Sequence, residues 1–135
     1  MKDTTVDALR EVAFRRHAAD GVLTVFAGDD PAGVPFTIRR VFTISGVSPG
    51  GRRGRHAHRA CSQLCVCLTG RVDIRIDDGR NARAITLDSS GLGLLIPPGL
   101  WNEVTFAGTD TVLAVFCDEP YSEADYMRDR AEFLR

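Results

Sequence analysis

The chain has 135 residues and a mass of 14.7 kDa, a size that fits one domain and is too small for two. Hydrophobic residues make up 44% and charged residues 26%, which excludes a disordered chain and describes an ordinary globular one. Lys+Arg 17 against Asp+Glu 18 leave a formal net charge of −1, so no overall field draws the chain to nucleic acid or to an anionic membrane. A local basic patch does exist, at Arg52, Arg53, Arg55 and Arg59. No apolar run approaches the ~20 residues that cross a bilayer. The segment 1–19 carries charges throughout and lacks the apolar stretch of a signal peptide, so a cytoplasmic location is expected. Cys61, Cys65, Cys67 and Cys117 do not have the C-x2-C spacing of a zinc pair and read as reduced packing thiols.

In chain order, residues 5–19 open with a short helical turn. Gly21 to Gly28 reads as a strand bounded by glycines. Asp29, Asp30, Pro31, Gly33 and Pro35 then mark a loop. From Phe36 to Ile44, apolar Phe36, Ile38, Phe42 and Ile44 recur at even positions with Arg40 interrupting, which predicts a strand with one buried face. Ser48 to Gly54 is a glycine- and arginine-rich loop that fits no P-loop pattern. Strands follow at Gln63–Thr69 and Val72–Asp77, turned by Gly70, and Asp78-Gly79 is a hairpin signal. Ala84–Leu87, Leu92–Ile96, Glu103–Phe106 and Thr111–Cys117 complete the strands before Pro120. Ser122-Glu123-Ala124-Asp125 resembles a capping box, and a C-terminal helix is predicted from there to about Leu134. Roughly eight or nine short strands and then one helix predict an all-β fold. The expected form is an antiparallel jelly roll (a small β-barrel) with a short C-terminal helix, residues 1–135 forming a single domain.

The sharpest chemical feature is His56-Ala57-His58. Two residues apart on a strand, both imidazoles point to one face, and imidazole is the side chain that titrates near neutral pH. Such a pair can ligate a metal or divide acid–base work. The surrounding spacing resembles the two cupin motifs in outline: Gly50 or Gly51 leads to His56 and His58 with Gly70 closing the first, and Gly91 through Pro97-Pro98-Gly99 to Asn102 follows the second. At the remaining two ligand positions stand Gln63 and Asn102, whose neutral amides are poor ligands for a divalent transition metal. That favours metal-free chemistry, with no cofactor. One histidine takes a proton and the other supplies one, and the suited reaction is proton movement α to a carbonyl.

Longer stretches resemble the sugar 3,4-ketoisomerases that act on dTDP-4-keto-6-deoxyglucose, the WxcM-like or FdtA-type cupins. They are Pro35 to Phe42, Arg53-Gly54-Arg55-His56-Ala57-His58-Arg59, Gln63, Gly70, Asp78-Gly79, Gly93 to Pro97, Trp101, and Tyr121 to Asp129 with Phe133. The resemblance implies a cupin-type jelly roll, a homodimer with exchanged N-terminal strands, a dTDP-sugar substrate, no metal, and isomerisation carried by His56 and His58. It departs in one place. Where the family has an Arg-Val-Tyr-Tyr-Ile-like run, this chain has Arg40-Val41-Phe42-Thr43-Ile44, so that Thr43 stands where a phenol is usual.

Five further residues are substrate-binding candidates. Arg53 precedes the histidine pair and suits a diphosphate. Arg40 interrupts the apolar face of its strand, and a buried arginine needs a partner. Gln63 and Asn102, at the lost ligand positions, are placed to bind sugar hydroxyls. Trp101 is a candidate wall for the sugar or base, or else barrel core. Tyr121 and Tyr126 read as packing residues, and His17, Arg55 and Arg59 as solvated. Two other readings stand beside the isomerase: a nucleotide-sugar-binding cupin without turnover, and a metal-dependent cupin enzyme.

Overall fold

The computed structural model describes residues 4–135 as twelve strands and one α-helix. The strands are β1 (Arg10–Ala13), β2 (Arg16–Ala19), β3 (Gly21–Thr24), β4 (Arg40–Ser45), β5 (Arg52–His58), β6 (Gln63–Thr69), β7 (Arg71–Asp77), β8 (Ala82–Asp88), β9 (Leu92–Ile96), β10 (Trp101–Phe106), β11 (Val112–Cys117) and β12 (Tyr126–Met127), followed by helix α1 (Arg130–Leu134). Every strand pairing is antiparallel. One five-stranded sheet has the order β1-β9-β6-β11-β4, the other β12-β5-β10-β7-β8, and β2-β3 form a separate hairpin. This is the jelly roll that the strand count and turn spacing predict. Among the described residues no helix is long and apolar enough to cross a membrane.

The main core lies between the two sheets, where Val72, Ile74, Ile76, Leu87, Leu94, Phe106 and Leu113 are buried. A second apolar cluster covers the other face of the first sheet, with Val12, Phe14, Val34, Leu64, Val66 and Phe116 under Phe26, Phe36 and Ile38. Strand β6 is therefore buried on both faces. Cys65 and Cys67 join the main core, and Leu64 and Val66 join the second cluster. The two-residue period puts the two thiols together. All four cysteines are free and buried.

Several boundaries differ from the sequence reading. The N-terminal turn is a single 3-10 turn, Val6–Ala8, capped by the Thr5 hydroxyl; β1 and β2 follow it. The strand predicted from Gly21 to Gly28 stops at Thr24. The strand predicted from Phe36 begins only at Arg40. Phe36 and Ile38 belong to the second cluster while Phe42 and Ile44 pack on the main core, so one alternating pattern serves two different cores. The C-terminal segment is not one helix from Ser122. A 3-10 turn, Glu123–Asp125, is followed by β12, and α1 starts after Asp129, whose side chain accepts from the Ala131 N–H. Its capping residue is thus Asp129. A strand inserts because Tyr126 and Met127 find hydrogen-bonding partners on the edge of β5, which local helix signals do not report.

Candidate active site

Strand β5 carries the histidines, and an irregularity sets their direction. Asn102 pairs with His56 and Glu103 with Gly54, so Arg55 is one extra residue opposite β10. Gly54 and Arg55 both have positive φ, 86° and 64°, the signature of a bulge that begins on glycine. An added Cβ at Gly54 would lie 2.6 Å from the Asn102 side-chain oxygen. Strict alternation would put Arg53 and His56 on opposite faces. The bulge brings both to the same face and turns Arg55 outward to Glu103, 3.6 Å away.

That face is one wall of a cavity of about 240 Å³ between the sheets. Arg53, Gly54, His56, Asn102, Val104, Tyr126 and Arg128 form this wall; Phe42, Ile44, Gln63, Cys65, Leu113 and Val115 form the other. The result is a cleft in which one apolar flank faces polar groups converging from the other, a form suited to a polar small molecule. Three of the five substrate-binding candidates, Arg53, Gln63 and Asn102, line it. Asn102 is also fixed by donating its side-chain N–H to the His56 carbonyl at 3.3 Å.

His56 lines the cavity and His58 lies behind it, 4% exposed. The two rings meet edge to face with centroids 4.9 Å apart. Nδ1 of His58 is 2.8 Å from Asp125 Oδ2, and Asp125 Oδ1 accepts the Ala60 N–H at 2.6 Å. The carboxylate can only accept, so Nδ1 carries the proton and Nε2 of the neutral ring is left as an acceptor. That Nε2 is buried without a partner, as is Nδ1 of His56. Two orphaned imidazole nitrogens side by side are costly in a purely structural site. Burial, the neighbouring His58 and the Arg128 charge lower His56 to about 4. His58 is also lowered, by burial, against the opposing pull of Asp125. Burial works to raise Asp125, but the bonds from His58 and Ala60 outweigh it and hold the carboxylate below its ordinary range. Both imidazoles are therefore neutral at pH 7.

The sequence reading needs correction at four side chains. Trp101 does not wall the cavity; it packs with Ala57, Met127 and Phe133 in a small separate core, because β10 alternates and Asn102 takes the cavity side. Arg40 stands beside the cavity rather than on its wall, with Nη2 3.6 Å from Cys117 Sγ and its guanidinium carbon 5.4 Å and 5.5 Å from the ring centres of Phe42 and Tyr121. Thr43 is exposed on the outer face, so the cavity-facing member of that run is Phe42. Tyr126 is more than packing: it lines the cavity, with its ring centre 5.0 Å from that of His56 and 4.4 Å from that of His58. The pairing of β12 with β5 places it there, and only tertiary structure reveals that pairing.

Asp125 and Arg128 were also missed as site residues. Arg128 is held in place by Glu123, with contacts at 2.7 and 3.1 Å. Asp125, Tyr126 and Arg128 come from the Asp-Tyr-x-Arg tail already visible in the sequence. Behind the cavity the Cys117 thiol is drawn down by the neighbouring Cys61, by Arg40 and by Gln63, against burial. A His58–Cys61–Asp125 cluster, its ligand atoms within 4.8 Å of one another, is a set able to hold a metal. Its His58–Asp125 pair is already joined by a hydrogen bond.

An antiparallel jelly roll with a buried histidine pair at a cleft between its sheets is the architecture of a cupin. Residues 2–135 match the family described as "FdtA: WxcM-like, C-terminal", and the chain belongs to that family. The TDP-4-oxo-6-deoxy-alpha-D-glucose-3,4-oxoisomerase of Aneurinibacillus thermoaerophilus is 36% identical over 112 residues, 83% of this chain and 81% of that protein. Among solved structures, the sugar 3,4-ketoisomerase QdtA from Thermoanaerobacterium thermosaccharolyticum, in complex with TDP, superposes with a TM-score of 0.90 at 31% identity over 96% of this chain and 94% of its own. The TDP-fucose-3,4-ketoisomerase WlaRA from Campylobacter jejuni superposes with a TM-score of 0.86 at 27% identity, covering 94% and 93%.

Proposed function

We propose that this chain is a metal-free 3,4-ketoisomerase that converts a TDP-4-keto-6-deoxyhexose to the 3-keto sugar in deoxysugar biosynthesis, with His56 and His58 as its catalytic pair. The observation that carries the reading is a neutral imidazole, His56, on the wall of the cleft between the sheets, with a second imidazole fixed behind it by Asp125. The C4 carbonyl acidifies the C3–H bond. His56 takes that proton, the C–H electron pair becomes the C3=C4 double bond, and the carbonyl pair moves to O4. The imidazolium then returns its proton to C4 while the O3 proton passes to O4, which leaves the ketone at C3 and a hydroxyl at C4. Asp125 fixes the tautomer and direction of His58, whose ring packs edge to face against His56 and holds it at the cavity wall.

The cavity of about 240 Å³ is smaller than the ~300–1,000 Å³ usual for a complete small-molecule ligand. It therefore takes the sugar, and the nucleotide lies across its mouth, where Arg53 and Arg128 meet the diphosphate. Gln63 and Asn102 bind sugar hydroxyls. Their neutral amides are also why no divalent metal is assigned to the cavity. The active form is a homodimer in which the N-terminal β2–β3 hairpin, with its exposed Val22 and Leu23, is exchanged, while β1 stays on β9 of its own chain. Its place is the cytoplasm, where nucleotide sugars are made.

The test is incubation of the chelator-treated protein with TDP-4-keto-6-deoxyglucose, followed by NMR of the sugar. A 3-keto product formed by the wild type and lost in His56→Asn supports the reading. A bound but unchanged sugar favours a binding protein without turnover, a second reading suggested by the apolar Phe42 where the family run carries a tyrosine.

A further inference from the structure

We propose that Tyr126 is the general acid of this isomerisation, giving its phenolic proton to O4 as His56 takes the proton from C3; the inference rests on the ketoisomerase reading above. The backbone dictates its placement. β12 pairs with β5 so that Tyr126 lies opposite His58 and Met127 opposite Ala57. Met127 and Ala57 go inward to the Trp101 cluster, and alternation sends Tyr126 to the cavity side with the imidazoles. Its ring lies edge-on to His56 at 73°, with centroids 5.0 Å apart.

Elimination points the same way. The enediolate made when C3 loses its proton carries its charge on O4 and needs a proton there. The base cannot give one in the same step, because neutral His56 has just accepted one. Of the other lining groups, Gln63 and Asn102 donate hydrogen bonds but do not titrate, and the guanidiniums of Arg53 and Arg128 do not give up a proton in proteins. The Cys65 thiol is pushed up to about 12 by burial, with the Cys117 charge adding to it. That leaves the Tyr126 phenol. The guanidinium of Arg128 lies 4.3 Å over its ring, and Arg40 is close enough for Tyr126 to help hold its charge. Positive charge is thus stationed where the phenolate develops.

The step balances. The C3–H pair becomes the C3=C4 bond, the carbonyl pair moves to O4, and O4 takes the phenolic proton. In the second half the phenolate recovers a proton from O3–H as the C3 carbonyl forms, and the imidazolium protonates C4. The sugar is isomerised with no net oxidation, and both protein groups return to their starting states.

Tyr126→Phe removes one oxygen and keeps the ring that packs on the histidines. The expected result is a fall in kcat of at least about a hundredfold, within the range of a lost general acid. KM for TDP-4-keto-6-deoxyglucose, the affinity for TDP and the melting temperature are expected to stay close to wild type. A kcat within about threefold of wild type overturns the proposal, and so does a fall that tracks lost TDP affinity or a lowered melting temperature, which is how a packing residue behaves. Wild-type turnover is read in the same assay. A wild type that does not convert the sugar overturns the ketoisomerase reading itself, whereas an active wild type with an equally active Tyr126→Phe removes only the assignment of the acid.

Discussion

Acidification is the perturbation whose effect can be worked furthest from the structure. Burial, the neighbouring His58 and the charge of Arg128 lower His56 from 6.5 to about 4. In the unfolded chain the same imidazole titrates at its ordinary value. Between those two values the unfolded state binds the proton and the folded state does not, so stability falls as pH falls through that window. The full effect below pH 4 is about 3 kcal/mol, of which about 2 kcal/mol is already lost at pH 5. Urea unfolding of wild type and His56→Asn at pH 7.5 and pH 5, followed by Trp101 fluorescence, measures it. The wild type is expected to lose about 2 kcal/mol more than the variant over this interval. Activity persists to lower pH than it does with an ordinary histidine base. At pH 5.5 an ordinary imidazole is about one-tenth neutral, while His56 remains almost wholly so. The acid limb of kcat/KM is therefore expected near pH 4 to 5, below the ordinary histidine value. A limb at pH 6.5, together with equal acid sensitivity of wild type and His56→Asn, would refute the placement of a neutral, desolvated base at this position.

Four substitutions test other parts of the site. Asp125→Asn keeps an acceptor for the Ala60 N–H but replaces the carboxylate facing His58; kcat is expected to fall about ten- to hundredfold with TDP affinity unchanged, as suits a residue acting through another. Gly54→Ala forces a side chain into a positive-φ position against Asn102; it is expected to cost ~1–3 kcal/mol in urea titration and to lower kcat, because the bulge aims His56. Arg53→Ala is expected to weaken TDP binding roughly tenfold by calorimetry, and Arg55→Ala to leave it unchanged, since the bulge puts Arg53 at the cavity and Arg55 against Glu103. Equal effects of the two arginines would mean that the bulge does not sort them.

The repeating features of this fold were legible in the residue pattern. Alternation located Gln63–Thr69 and Val72–Asp77 within a residue of β6 and β7, and Asp78-Gly79 marked the turn into β8. His56-x-His58 together with Gln63 and Asn102 marked the cavity, because residues two apart on a strand share a face and the cupin-like glycines supplied the frame. What the pattern could not give was anything set between distant segments. Phe36 and Ile38 look like a continuation of Phe42 and Ile44, yet they close a different core. Arg53 and His56 are three residues apart, and only the register against β10 shows the extra residue that unites them. Tyr126 and Asp125 looked like part of a helix because Ser122 and Asp125 imitate a cap. The free edge of β5 drew them into a strand instead, and with them came the phenol and the carboxylate of the site.

The most direct test of the central claim is to follow the C3 proton of TDP-4-keto-6-deoxyglucose by NMR in deuterated buffer, with chelator-treated wild-type protein and with His56→Asn. The account predicts that the wild type removes the C3 proton signal as a 3-keto sugar grows, and that the variant leaves the signal in place while TDP still binds. A C3 proton that persists with wild type, or that is lost equally fast with His56→Asn, would contradict it.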